Sequence, residues 1–333
     1  MKKILLKLMF LVMLVALLPV HVAQACSAFI VGKDLTADGS TLFGRTEDYP
    51  YAPDGGRHNQ NYVVVPAKTY KDGDKIEDES NGFTYPHLAN EMKYTAVYDS
   101  DRGNGSNGNF AAHGFNEVGV SMTATVSATP NDKVLKADPL VKDGLPEASL
   151  VDLALPRAKT AREVIETVSK VLDEKGSAEG NIIVAADKNE LWYMEIYTGH
   201  QFVAMRYPRD KYSVFPNSFW LNECRLTVGE EKENYNISED GNYIYSKDIF
   251  KVPTEAKTFK GDELTRTIDL YASYALPELS ESNVSRVCSG IKQFNPDAKF
   301  EGDVYPFLQT TSKKITLADA MAFTRNRLET ITR

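Results

Sequence analysis

A cysteine stands at position 26, directly after Ala23-Gln24-Ala25, and Arg45 and Asp48 follow it. These residue types suffice for nucleophilic acyl chemistry. A thiolate attacks an acyl carbon, a guanidinium favours thiolate over thiol, and a carboxylate holds an ammonium by charge-assisted hydrogen bonds. The base in such a scheme is the cysteine's own α-amine, which exists only if the chain begins at that residue. A free α-amine has a pKa of about 7.7–8.0, so neighbouring charge decides whether it can take a proton at neutral pH.

The first 25 residues offer a way to create that amine. Lys2, Lys3 and Lys7 lead into an apolar run from Leu8 to Leu18, and Pro19 ends any helix. Ala23 and Ala25 then give the A-x-A arrangement of a secretory cleavage site, with the cut before Cys26. Three readings follow from this placement alone. Cys26 is acylated and anchors a surface binding protein, or it lies near the cut by coincidence, or it is a catalytic N-terminal nucleophile. Ala23 replaces the Leu usual three residues before a lipidated cysteine, and Gln24 is also unusual there.

The rest of the composition narrows the classes. The 333 residues are 42% hydrophobic and 25% charged, enough for one large or two small globular domains. A net charge of -8 with no basic cluster after the leader excludes a nucleic-acid surface, which needs concentrated Lys and Arg. His113 and His200 fall in no His-x-x-x-His or Cys-x-x-Cys pattern, so they read as structural and no metal is expected. Asp99 to Asn109 reads as a Gly/Asn-rich loop without calcium-loop spacing. Cys224 and Cys288 are either a disulfide or two buried thiols.

Several elements are needed to position these groups. Cys26 to Val31 and Ser40 to Arg45 read as paired strands across a turn-rich loop containing Asp38-Gly39. Pairing about Leu35 and Thr36 sets Cys26 opposite Arg45 or Thr46. Residues 50–110 read as short strands with long loops, and His113 to Thr125 ends in a strand entered by a Gly/Asn turn. Thr160 to Glu163 is a capping box, with Val164, Ile165, Val168, Val171 and Leu172 on one apolar face and Gly176 as the stop. Four consecutive strands follow, Asn181 to Ala186, Leu191 to Tyr197, Gln201 to Tyr207 and Tyr212 to Phe215, predicting an antiparallel meander. A capped helix opens at Thr316-Leu317-Ala318-Asp319.

With these motifs the chain resembles the dipeptidase-A-like cysteine peptidases, N-terminal-nucleophile hydrolases related to penicillin V acylase and bile salt hydrolase. The resemblance is carried by Cys26, by Asp38-Gly39-Ser40-Thr41, and by Gly44-Arg45-Thr46-Glu47-Asp48. It continues through Asn116-Glu117-Val118-Gly119-Val120 and is strongest in Glu190-Leu191-Trp192-Tyr193-Met194-Glu195, Gly199-His200, Val203-Ala204-Met205-Arg206 and Asn217. It runs from Cys26 essentially to Arg333. Family members continue past a segment like Ala320 to Arg327, which implies that a C-terminal part is missing here.

The resemblance implies an α+β fold, an αββα four-layer sandwich with two antiparallel sheets. It implies a hydrolase domain at 26–333, and the secretory signal at 1–25 implies export to the periplasm, cell surface or exterior, without a membrane span in the mature chain. Cys26 is the implied nucleophile, Arg45 and Asp48 tune it, and the Asn217 amide N–H stabilises the oxyanion with a backbone N–H near Thr125 as second donor. Glu195 is the candidate to hold the free amine of a dipeptide. Small peptides are the expected substrates, no cofactor is required, and homo-oligomerisation stays open. The nearest rival is an acylase of the same fold that cuts an N-acyl amide such as a bile-salt conjugate or penicillin V.

Overall fold

The computed structural model describes residues 26–47, 60–99, 110–124, 127–299 and 305–326. The leader, Asp48, Thr125 and residues 100–109 lie outside the described residues.

Ser27–Val31 (β1) and Leu42–Thr46 (β2) pair antiparallel as the turn-rich loop between them predicts. The register is shifted from the expected one: Ser27 faces Thr46 and Ala28 faces Arg45. Residues two apart share a face of a strand, so Arg45 still projects on the side of Ala28 and Cys26. β1 is buried throughout and splits its side chains between two cores. Ala28 and Ile30 enter one, while Phe29 and Val31 enter the other.

Asn181–Ala186 (β3), Leu191–Ile196 (β4) and Phe202–Arg206 (β5) form the expected meander. The fourth strand does not continue it. Tyr212–Pro216 (β6) crosses to the other sheet and pairs with β1, Ser27 opposite Pro216, while Tyr243–Tyr245 takes the open edge of β5. Periodicity identifies β6 as a strand, but hydrogen-bond partners come from tertiary packing, and Phe215 and Val214 bury on opposite faces beside β1. The result is a three-stranded sheet in the order β6-β1-β2 and a ten-stranded sheet running from Gln60–Val65 at one edge to Glu230–Glu231 at the other.

The cores define the layers. Helix Ala161–Lys175 (α1) buries Val164, Ile165, Val168, Val171 and Leu172 against Ile183, Ala185, Trp192 and Met194 on one face of the large sheet. The alternate residues Ile182, Val184, Tyr193 and Met205 face Ala28, Ile30 and Phe215 of the small sheet. On the far side, Phe29, Val31 and Val214 pack against Phe294 of Glu281–Phe294 (α2) and Phe323 of Leu317–Phe323 (α3). Helix, sheet, sheet and helix thus stack in an αββα order, each layer set by period-2 or period-3.6 patterning.

The helix ends follow their sequence signals. Thr160 Oγ1 accepts the Glu163 N–H at 3.1 Å, although the Glu163 carboxylate turns to the Lys159 N–H at 2.7 Å. Gly176 closes α1 at φ 74°, where a Cβ would come within 2.3 Å of Val141. Thr316 and Asp319 form a reciprocal capping box on α3. Cys224 and Cys288 are both free and buried, and Cys288 Sγ donates to the Tyr305 hydroxyl at 3.2 Å. Among the described residues, no helix is long and apolar enough to cross a membrane and no group of three ligating side chains could hold a metal.

Candidate active site

Cys26 stands at the head of β1, partly buried, and three separate parts of the chain converge on it. The first is β2. Arg45 sends Nη1 to within 3.7 Å of Cys26 Sγ, and its side chain is only 4% exposed. Its Nε donates to Thr123 Oγ1 at 3.1 Å, and its Nη2 donates to the Glu47 carboxylate. A guanidinium held on these sides has little freedom to swing away from the sulfur.

The second part is the turn after β6. Asn217 Oδ1 accepts the Cys26 N–H at 2.7 Å, while Asn217 Nδ2 donates to the Ser127 carbonyl at 2.9 Å. The third part is α2. Arg286 Nη1 donates to the Cys26 carbonyl and, at 3.0 Å, to Asn217 Oδ1. Arg286 Nη2 donates to Asn283 Oδ1, and Asn283 Nδ2 donates to the Asn217 carbonyl at 3.1 Å. With donors on one side of the Asn217 amide and an acceptor on the other, the amide has a single satisfied orientation.

Cys26, Arg45 and Asn217 are therefore brought together, and Asp48 and Thr125 lie outside the described residues. Glu195 is not at the site. It is fully buried on β4, where Tyr193 Oη (2.6 Å), Tyr197 Oη (2.8 Å), Trp220 N (2.6 Å) and Leu221 N (3.2 Å) all donate to its carboxylate. Burial pushes that carboxyl up to about 7 against these hydrogen bonds, which favour the ionised form. A substrate amine cannot reach it. A strand Glu between Met194 and Ile196 points inward here because its neighbours on the same face are Tyr193-type core positions of the inter-sheet layer, whose hydroxyls satisfy it. Glu195 instead ties down the segment that begins at Asn217.

Glu47, Asn283 and Arg286 join the site without belonging to the candidate residues above. Glu47 sits inside the Gly44 to Asp48 motif, where attention to Asp48 hides it. Asn283 and Arg286 did carry a signal. They fall at i,i+3 on the helix face that also buries Val284, Val287 and Ile291, and polar groups on an apolar stripe require partners.

The sequence model of peptidase family C69 matches residues 25–331. A "Probable dipeptidase B" of Streptococcus pyogenes serotype M1 is 45% identical over 310 residues, covering 92% of this chain and 58% of the relative. A "Probable dipeptidase" of Latilactobacillus sakei is 31% identical over 298 residues, covering 89% of this chain and 59% of its own length. The chain thus spans less than two thirds of these relatives. Among solved structures, a variant of conjugated bile acid hydrolase from Clostridium perfringens shares 17% identity at a TM-score of 0.27, over 58% of this chain and 51% of that one. With the family match running from the residue before Cys26 to within two of the last position, the chain belongs to peptidase family C69.

Proposed function

We propose that this chain is an exported cysteine dipeptidase whose nucleophile, Cys26, becomes the N-terminal residue when residues 1–25 are removed. The observation that carries the reading is the contact between Cys26 N and Asn217 Oδ1 at 2.7 Å, with Arg45 Nη1 3.7 Å from the sulfur of the same residue. In the unprocessed chain that nitrogen is a peptide amide, which has no basic lone pair. Cleavage turns it into an amine already held beside its own thiol, so leader removal is the activating step.

The chemistry follows from the charges. Arg45 favours the thiolate, which attacks the scissile carbonyl and forms a C–S bond. One Asn217 Nδ2 hydrogen is committed to Ser127, and the other serves the oxyanion together with a backbone N–H near Thr125. The Cys26 amine, relieved of its proton before attack, takes the thiol proton and passes it to the leaving nitrogen as the C–N bond breaks. Water then attacks the acyl-thioester with the amine as base, and the C–S bond breaks. Asp48 and Arg45 set the charge around the terminus, and no cofactor enters any step.

Dipeptidase names among the relatives favour peptides over N-acyl amides. The test uses protein beginning at Cys26 on a panel of dipeptides beside conjugated bile salts and penicillin V. Dipeptide cleavage that is lost in Cys26→Ala supports the reading; cleavage of the acyl amides alone gives the acylase instead. The intact mass of the exported protein decides the remaining alternative, since a diacylglyceryl group on Cys26 excludes the free amine.

A further inference from the structure

Glu147 lies behind the site in a role that the steps above do not use. It follows Pro146 and opens a single 3₁₀ turn, Glu147–Ser149. Its Oε2 accepts the Ser127 Oγ–H at 3.0 Å, and its backbone N–H donates to Glu179 Oε1 at 2.7 Å. Ser127 in turn gives its carbonyl to Asn217 Nδ2 at 2.9 Å, and Asn217 Oδ1 takes the Cys26 N–H at 2.7 Å. A run of hydrogen bonds therefore joins an acidic side chain to the nitrogen of the nucleophile.

We propose that Glu147 is a positioning residue for Cys26, acting through Ser127 and Asn217. The proposal rests on the reading of Cys26 as nucleophile. Its physical basis is that the Asn217 amide aims Oδ1 at Cys26 only while its Nδ2 is anchored on the opposite side. That anchor is a main-chain carbonyl, and the side chain of the same residue is tied to Glu147. Removing the tie frees Ser127, then the amide, and then the amine.

The charges around Glu147 provide a readout that a purely structural role would not move. Burial pushes its carboxyl up to about 8, with Glu179 and then Glu47 adding to the rise, and Arg45 and the Ser127 hydrogen bond opposing it. Glu179, beside the turn, is raised as well, by burial first and by Asp78. Glu147 is thus mainly neutral at neutral pH and gains its negative charge in the alkaline range. That charge appears within reach of Arg45, where it opposes the guanidinium's support of the thiolate.

The experiment compares protein beginning at Cys26 with Glu147→Gln, Glu147→Leu and Ser127→Ala. Two measurements are made across pH: alkylation of Cys26 by iodoacetamide, read by mass on the N-terminal peptide, and kcat on a cleaved dipeptide. Glu147→Leu is expected to lower kcat about tenfold, the size of one lost hydrogen bond, and Glu147→Gln, which still accepts from Ser127, to recover most of it. Glu147→Gln is also expected to lose an alkaline inflection that the parent alkylation profile shows. Ser127→Ala keeps the test open if Glu147→Leu does not fold, and a severalfold lower kcat is expected from it. Parent-like profiles and kcat in both Glu147→Gln and Ser127→Ala overturn the proposal. Alkylation needs no substrate, so a Glu147-dependent profile without dipeptide cleavage upholds the positioning role and rejects the peptidase reading. Dipeptide cleavage with both profile and kcat independent of Glu147 and Ser127 does the reverse.

Discussion

The side-chain oxygen of Asn217 lies 2.7 Å from the backbone nitrogen of Cys26, 191 positions away in the chain. The contact exists because β6 leaves its meander to pair with β1, which delivers the residue after Pro216 to the head of the strand that follows Cys26.

On the proposed mechanism, replacing Asn217 with Ala removes both an oxyanion donor and the acceptor that holds the Cys26 nitrogen. The expected loss in kcat is about a hundredfold, the usual scale for one oxyanion donor, with a smaller change in KM. Steady-state kinetics beside a thermal melt checks this. A variant within twofold of the parent would remove Asn217 from the mechanism.

Glu195→Gln tests the buried anchor. Four donors converge on this carboxylate, and a carboxamide turns an NH2 toward some of them. The expected cost is about 1–3 kcal/mol for unsatisfied buried groups, measured by urea unfolding. An unchanged midpoint would show that the inter-sheet layer tolerates the change.

The Asp138–His200 pair predicts a pH-dependent part of stability. His200 Nδ1 lies 2.8 Å from Asp138 Oδ1, and this hydrogen bond raises the His200 pKa against some burial. Burial opposes ionisation of Asp138, but hydrogen bonds from His200 and Thr198 outweigh it and hold its carboxyl below the ordinary value. The His contribution is therefore complete below the unfolded value of about 6.5 and is lost as pH rises through the higher folded one. The Asp contribution is present above about 3.9 and is lost as pH falls below it. His200 is 42% exposed at its side chain, so solvent screening keeps the whole effect near 0.5 kcal/mol. Urea unfolding of the parent and of His200→Asn should differ most in mildly acidic buffer and converge under alkaline conditions. A constant difference across pH would refute the linkage.

Thiol chemistry should single out one residue. Burial pushes the Cys224 thiol up to about 12, and Cys288 is buried against Tyr305, whereas Cys26 is partly exposed beside Arg45. Under native conditions a maleimide should label Cys26 alone, with Cys224 and Cys288 reacting only in denaturant. Rapid native labelling of either buried thiol in a peptide map would contradict the packing.

Much of this architecture is legible in the sequence because it rests on local rules. The β1–β2 hairpin, the capped helix at Thr160 and the strands at 181–206 all follow from turn residues and hydrophobic period. The pairing of β6 with β1 was not legible, because a strand's alternation names its faces and not its neighbour. Glu195 misled for a related reason: a carboxylate in a strand reads as solvent-facing until the tyrosines that satisfy it are seen in three dimensions. Arg286 shows the same limit: it lies among Val284, Val287 and Ile291 on a helix seen only in the fold, and no local rule could supply its partners, Cys26 and Asn217.

The bond from Arg286 to the Cys26 carbonyl spans 260 positions of chain. On the proposed reading, the nucleophile is synthesised 260 positions before a residue that steadies it. Contacts this distant in sequence form late and slowly. A chain still emerging from the ribosome carries the Cys26 sulfur before Asn217 and Arg286 exist, so under that reading the site is complete only once residue 286 has been added and the fold has closed around it.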